Sequence, residues 1–68
     1  MVSIGDGSWI GAGSVILPGS EIGKHVAIGA NSVVNGVIPD FSVAVGSPAR
    51  VVKRYSQESG WVPADEFK

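Results

Sequence analysis

An aliphatic residue recurs at every sixth position, from Ile4 through Ile10, Ile16, Ile22 and Ile28 to Val34. Four residues after them stand Ser8, Ser14, Ser20 and Ser32, with Val26 in the same slot. Glycine follows the aliphatic residue at Gly5, Gly11, Gly23 and Gly29. A helix repeats at about 3.6 residues and a strand at about 2, so neither explains a period of six. A solenoid whose flat sides are each one hexapeptide long does.

The hexads run IGDGSW, IGAGSV, ILPGSE, IGKHVA, IGANSV and VNGVIP, over residues 4–39. Within each, the small residue, its neighbour and the next aliphatic residue predict a three-residue strand, as in Ser8-Trp9-Ile10. Alternation along a strand points the serine and the isoleucine inward and the residue between them outward. The serine column is therefore read as small-residue packing rather than as a set of nucleophiles. Isoleucine and valine also suit strands by shape.

Three residues turn the chain between strands, and the third of them is Gly7, Gly13, Gly19, His25 and Asn31 in turn. Glycine takes positive φ freely, and Asn and His are enriched there among other residues, so the column predicts a recurring left-handed turn. His25, the one histidine, is read as a turn residue on that ground. Three hexads per triangular coil stack residues 4–21 on residues 22–39. This sets Asp6 against Lys24 as a surface pair, Trp9 against Ala27, Ala12 against Ala30 in a corner nearly free of side chains, and Val15 against Val33 on an outer face.

The period breaks after Val34, and Pro39, which has no N–H for a ladder, is expected to end the regular coils. Three segments follow from this: coils over 1–39, a terminal strand, turn and basic segment over 40–55, and a tail over 56–68. Ser42 to Val45 reads as a strand and Gly46-Ser47-Pro48 as a turn, while RVVKRY is too short to assign. In the polar tail, Trp61 and Phe67 are candidate anchors for a docked strand, with fraying as the alternative.

A chain of 68 residues buries little apolar surface, and small scaffolds need a disulfide, a metal or association. The chain has no cysteine and one histidine, which leaves association as the stabiliser. Net charge is −1 and no basic stripe alternates with aromatics, which argues against nucleic acid as a partner. Apolar runs fall far short of a membrane span, and no leader is visible, so a cytoplasmic location is the expectation. Residues 2–17 are expected to expose a parallel strand edge able to pair with another assembly or an added chain.

The hexads, the Trp9-Ile10-Gly11 tripeptide, and Ile38-Pro39 followed by VAVGSPARVVKRY resemble the hexapeptide-repeat acyltransferases, most closely the branch that acetylates sugars, polysaccharide precursors and antibiotics. The resemblance covers about residues 2–55. It implies an all-β fold, a left-handed parallel β-helix of about two coils with a C-terminal extension. It also implies a homotrimer, acetyl-CoA in a groove between adjacent subunits, a small-molecule hydroxyl as acceptor and no metal.

Carried over position by position, Trp9 resembles the tryptophan near the thiol end of that groove; packing at a subunit interface or against the tail is the other role open to it. Ala12 and Ala30 resemble the small residues lining the pantetheine arm. Asn35 stands where a polar residue meets the cofactor, and Arg50 and Lys53 resemble the basic residues at its nucleotide end. Arg50, Lys53 and Arg54 are also the one basic cluster of the chain, and phosphates favour such groups.

Two departures stand out. Many relatives carry a lysine where this chain has Gly36, which removes one phosphate or ribose contact. The family's catalytic histidine lies upstream of Trp-Ile-Gly, whereas none of the residues before Trp9 is histidine. The catalytic residue is thus unassigned, and the chain is expected to be the C-terminal part of such an O-acyltransferase. The alternative is a non-catalytic trimeric module, CoA-binding or structural. A zinc carbonic anhydrase on this fold needs three histidines, and an ice-binding solenoid needs rows of threonine, of which the chain has none.

Overall fold

The structure, a computed structural model, describes residues 2–66. Six short strands follow the hexads: β1 (Ser3–Ile4), β2 (Trp9–Ile10), β3 (Val15–Ile16), β4 (Glu21–Ile22), β5 (Ala27–Ile28) and β6 (Val33–Val34). Four more follow among the described residues: β7 (Val37–Ile38), β8 (Ser42–Gly46), β9 (Ala49–Ser56) and β10 (Gly60–Pro63), ahead of a 3₁₀ turn at Ala64–Glu66. Each side of the coil is a parallel ladder, β1-β4-β7, β2-β5-β8 and β3-β6. This is the left-handed parallel β-helix. The hexad strands are two residues long rather than three, and the first residue of each triplet stands at the corner just before its strand.

Those serines lace one coil to the next. The Val26 N–H donates to Ser8 Oγ at 3.0 Å, and the Ser8 hydroxyl donates to the Gly23 carbonyl at 2.7 Å. Ser14 repeats the arrangement with Ser32 N–H and the Gly29 carbonyl, and Ser20 with Gly36 N–H and the Val34 carbonyl. Each hydroxyl thus serves one donor and one acceptor at a corner where the ladder stops, and buried backbone groups need such partners. The interior holds Ile22, Val26, Ile28, Val34 and Ile38, with Ser20, Ser32 and Ser42 fully buried beside them. Ile4 remains 49% exposed, since β1 has β4 on one side and no strand on the other.

The coil does not end at Pro39. Ile22 pairs with Ile38 and Ile28 with Ala44, sixteen residues on rather than eighteen, so β7 and β8 extend a third coil. The break in period is a corner shortened by two residues to Asn35-Gly36, and Gly36 carries it at φ 111°. The corner column continues in step: His25 at φ 53° and Asn31 at φ 58° are left-handed as expected, and Phe41, sixteen residues after His25, joins them at φ 55°. Glycine beside the ladder has a different cause: a Cβ on Gly11 would lie 2.5 Å from the Ala30 nitrogen, so the coils can approach only without one.

Asp6 stands level with Lys24 in the eighteen-residue register, as expected, but among the described residues the two form no ion pair. The His25 N–H donates to the Asp6 carbonyl at 2.9 Å, and the Lys24 N–H donates to Asp40 Oδ1 at 2.8 Å, so this corner is tied by a backbone bond and by the Asp40 carboxylate.

The segment RVVKRY, left open above, lies in β9, which folds back antiparallel on β8 after Ser47-Pro48, whose peptide bond is cis. The tail docks as β10 on β9, with Trp61 opposite Tyr55. Trp61 is the anchor that was expected; Phe67 lies outside the described residues. The rings of His25 and Phe41 stack at 5.1 Å with planes 19° apart, Phe41 meets Tyr55 at 6.2 Å, and Tyr55 meets Trp61 edge-on at 5.5 Å. This aromatic row ties the β9–β10 hairpin to one corner of the coil. A phenylalanine at positive φ, as Phe41 is at 55°, costs about 1–3 kcal/mol of backbone strain.

Candidate functional site

The β2–β3 corner carries small residues on its outer side. Ala12 and Ala30 stack there, the Asn31 N–H donating to the Ala12 carbonyl at 3.0 Å, and both methyl groups face solvent. In the third coil Ala44 replaces Ile28 in register, which brings Gly46 to the level where Ala30 stood. The corner thus runs Ala12, Ala30, Gly46, a track of small residues that Val45 flanks in the third coil, its side chain lying over Gly29.

One end of the track is aromatic and the other is basic. Trp9 lies on β2, outward and 63% exposed, in register with Ala27 and Val43 across the sheet. Lys53 pairs with Val43, and Arg50 pairs with Val45, at the end of the corner itself. At about 4.8 Å per strand, three spacings put roughly 14 Å between the level of Trp9 and that of Lys53.

Arg50 and Lys53 are three apart, and a regular strand would send them to opposite faces. A bulge on β9 prevents this. Ala44 pairs with Val51 and Val43 with Lys53, leaving Val52 unpaired between them. The extra residue flips the alternation, so both cations point out from the sheet that carries Trp9, and bulges commonly re-aim side chains in this way. Arg54 instead follows the inward side of the sheet, opposite the buried Ser42, so the basic triplet of the sequence splits.

Of the predicted cofactor positions, Asn35 lies elsewhere in a single chain, and His25, read as a turn residue, is remote as well. Asn35 sits at the shortened β6–β7 corner, a different edge of the prism from Ala12 and Ala30. His25 is on the third edge, between β4 and β5, stacked on Phe41. Among the described residues no cluster of His, Cys, Asp or Glu is arranged to hold a metal ion. Sequence reasoning missed Gly46 as the third member of the small track, because the shortened corner hides its register. It also missed Phe41 as the continuation of the His25 column for the same reason.

The family described as bacterial transferase hexapeptide (six repeats) matches residues 1–36. The galactoside O-acetyltransferase of Lactococcus lactis is 45% identical over 67 residues, which is 98% of this chain and 32% of that protein. The solved structure of a maltose O-acetyltransferase from Clostridium difficile 630 superposes with a TM-score of 0.79 at 54% identity, over 82% of this chain and 30% of that one. A galactoside acetyltransferase solved in complex with coenzyme A superposes with a TM-score of 0.78 at 42% identity, over 84% of this chain and 28% of that one. The chain therefore spans less than a third of the length of these relatives.

Proposed function

Because the chain belongs to the bacterial hexapeptide-repeat transferase family, we propose that it forms the coenzyme A-binding part of an acetyl-CoA-dependent O-acetyltransferase whose acceptor is a sugar hydroxyl. The observation that carries this reading is the Ala12–Ala30–Gly46 corner of small residues, which begins at the level of Trp9 and ends at Arg50. The pantetheine arm lies along the alanines, where any larger side chain would stand in its path. Trp9 flanks the thioester end. Arg50 and Lys53 meet the phosphates, Arg50 with a planar fork of donors suited to two phosphate oxygens.

In the transfer, the acceptor hydroxyl oxygen attacks the thioester carbonyl carbon, the C–S bond breaks, and the CoA thiolate leaves. A base takes the hydroxyl proton. His25 does not fill that role within one chain, since its ring stacks on Phe41 at a different edge. We therefore assign the base to a part of the enzyme that this chain, covering less than a third of its relatives, does not span.

Association into a homotrimer completes the groove in this reading. Asn35 is remote from the alanine corner of its own chain, so only a neighbouring copy can present it there. The outer face of β3–β6 carries Val15, half exposed, in register with Val33, an apolar strip suited to burial between copies.

Titration calorimetry with coenzyme A tests the reading. We expect one site per chain, and binding by the Arg50→Ala variant weaker by about ten- to a hundredfold, the worth of a charge-assisted contact. Absence of heat with the parent chain would reject the cofactor assignment. A purely structural trimer is the alternative, and it predicts that outcome.

A further inference from the structure

The proposed cofactor track uses one corner of the prism. Another corner carries a cleft that the track does not explain. It is lined by His25, Phe41, Tyr55 and Trp61. Three backbone bonds hold its rungs in step: His25 N–H to the Asp6 carbonyl, Phe41 N–H to the Lys24 carbonyl at 2.8 Å, and Tyr55 N–H to the Phe41 carbonyl at 3.0 Å.

Its shape is that of an open angle. The His25 and Phe41 planes are nearly parallel, and Phe41 and Tyr55 are tilted by 37°. Trp61 turns 69° from Tyr55, so its indole stands as a wall beside the row. Hydrophobic burial alone does not account for the four rings. Phe41, Tyr55 and Trp61 are 44%, 42% and 48% exposed. Phe41 also holds a left-handed backbone at a position where the first coil has Gly7. A strained, half-exposed aromatic kept in a concave site points to a ligand.

The lining selects the ligand's chemistry. Among the described residues no lysine, arginine or carboxylate side chain lines the cleft, which disfavours phosphates and peptides of high charge. The surfaces offered are ring faces and edges, with the Tyr55 hydroxyl, the His25 imidazole and the Trp61 indole N–H as the polar groups. A neutral pyranose matches that set, because its C–H face packs on an aromatic wall while its hydroxyls reach polar tips.

We propose that His25, Phe41, Tyr55 and Trp61 form a carbohydrate-binding cleft, separate from the cofactor track, that holds one neutral pyranose ring of a saccharide against the indole of Trp61. The choice of sugar over other neutral ligands rests on the acceptor class proposed above; the cleft itself does not. Tyr55 and Arg50 lie on the same strand and the same face, separated by about 13 Å at about 3.3 Å per residue once the bulge is discounted. A saccharide held there is retained beside the enzyme without occupying the place of the cofactor.

Maltose titrated into the ¹⁵N-labelled chain, followed by amide and indole N–H shifts, tests the proposal. Saturable shifts at His25, Phe41, Tyr55 and Trp61, without shifts at Ala12, Ala30 and Arg50, are expected. Trp61→Ala should weaken maltose binding about tenfold and Trp61→Phe less, since a smaller ring keeps part of the stack. Coenzyme A, titrated separately, should move the second group of residues and leave maltose affinity unchanged. No shift with maltose, or shifts that survive Trp61→Ala, would overturn the cleft. So would competition by coenzyme A, which would make the aromatic row part of the cofactor site, or a change in oligomeric state in Trp61→Ala, which would make it a contact between copies. If coenzyme A fails to bind while maltose binds, the cofactor reading falls and the cleft stands.

Discussion

The hydroxyl of Ser20 accepts the Gly36 N–H at 3.2 Å and donates to the Val34 carbonyl at 3.2 Å, joining the second and third coils at the one corner where the hexapeptide count fails. Ser20 is fully buried, so neither backbone group has water as a substitute. Ser20→Ala is expected to lower stability by about 1–3 kcal/mol, the cost of stranding buried polar groups. The measurement is a shift in urea midpoint at constant m and fixed protein concentration. A change under about 0.5 kcal/mol, the range of ordinary surface substitutions, would show that the corner does not depend on this hydroxyl.

Gly11 and Gly19 predict different kinds of damage. A Cβ at Gly11 would lie 2.5 Å from the Ala30 nitrogen, a clash with backbone that has no rotamer to yield. Gly11→Ala is expected to cost about 1–3 kcal/mol by overpacking and to weaken coenzyme A binding as the corner is pushed apart. Nothing lies within 4 Å of a Cβ at Gly19, whose φ is +83°. The cost there is conformational only, so Gly19→Asn should be milder than Gly19→Ala. Equal losses in the two Gly19 variants would contradict this.

Phe41 couples the hairpin to the coils through its ring and through its carbonyl, which accepts the Tyr55 N–H. Phe41→Ala should leave the buried ladder of Ile28 and Val34 protected and speed amide exchange at Tyr55 by opening β9–β10 locally. Exchange that rises uniformly across the chain would show instead that coil and hairpin unfold as one unit.

The proposed trimer places the Val15–Val33 strip between copies. Val15→Asp is expected to shift the assembly toward monomer in light scattering at micromolar concentration, because a buried unpaired carboxylate is strongly disfavoured. An unchanged assembly would move the interface to another face.

Much of this protein was legible in its residue order. The six-residue columns predicted the strands, the inward serines, the left-handed turns at His25 and Asn31 and the stack of Ala12 on Ala30, because each depends on contacts between neighbouring coils that repeat at constant separation. Where the separation changed, the same logic stopped. Pro39 looked like an end because the count lost two residues at Asn35-Gly36, yet β7 and β8 remained in register with β4 and β5. A ladder tolerates a shorter corner so long as its strands still align.

What the residue order alone determined is the repeating unit: which positions are core, corner and outer wall, and hence the family of the fold. The tertiary structure decided which outer positions meet. The bulge at Val52 turned Arg50 and Lys53 to one face, the shortened corner brought Phe41 over His25, and the docking of β10 set Trp61 against Tyr55. Those outcomes rest on one-residue changes in register, which reverse the facing of a strand while leaving its composition untouched.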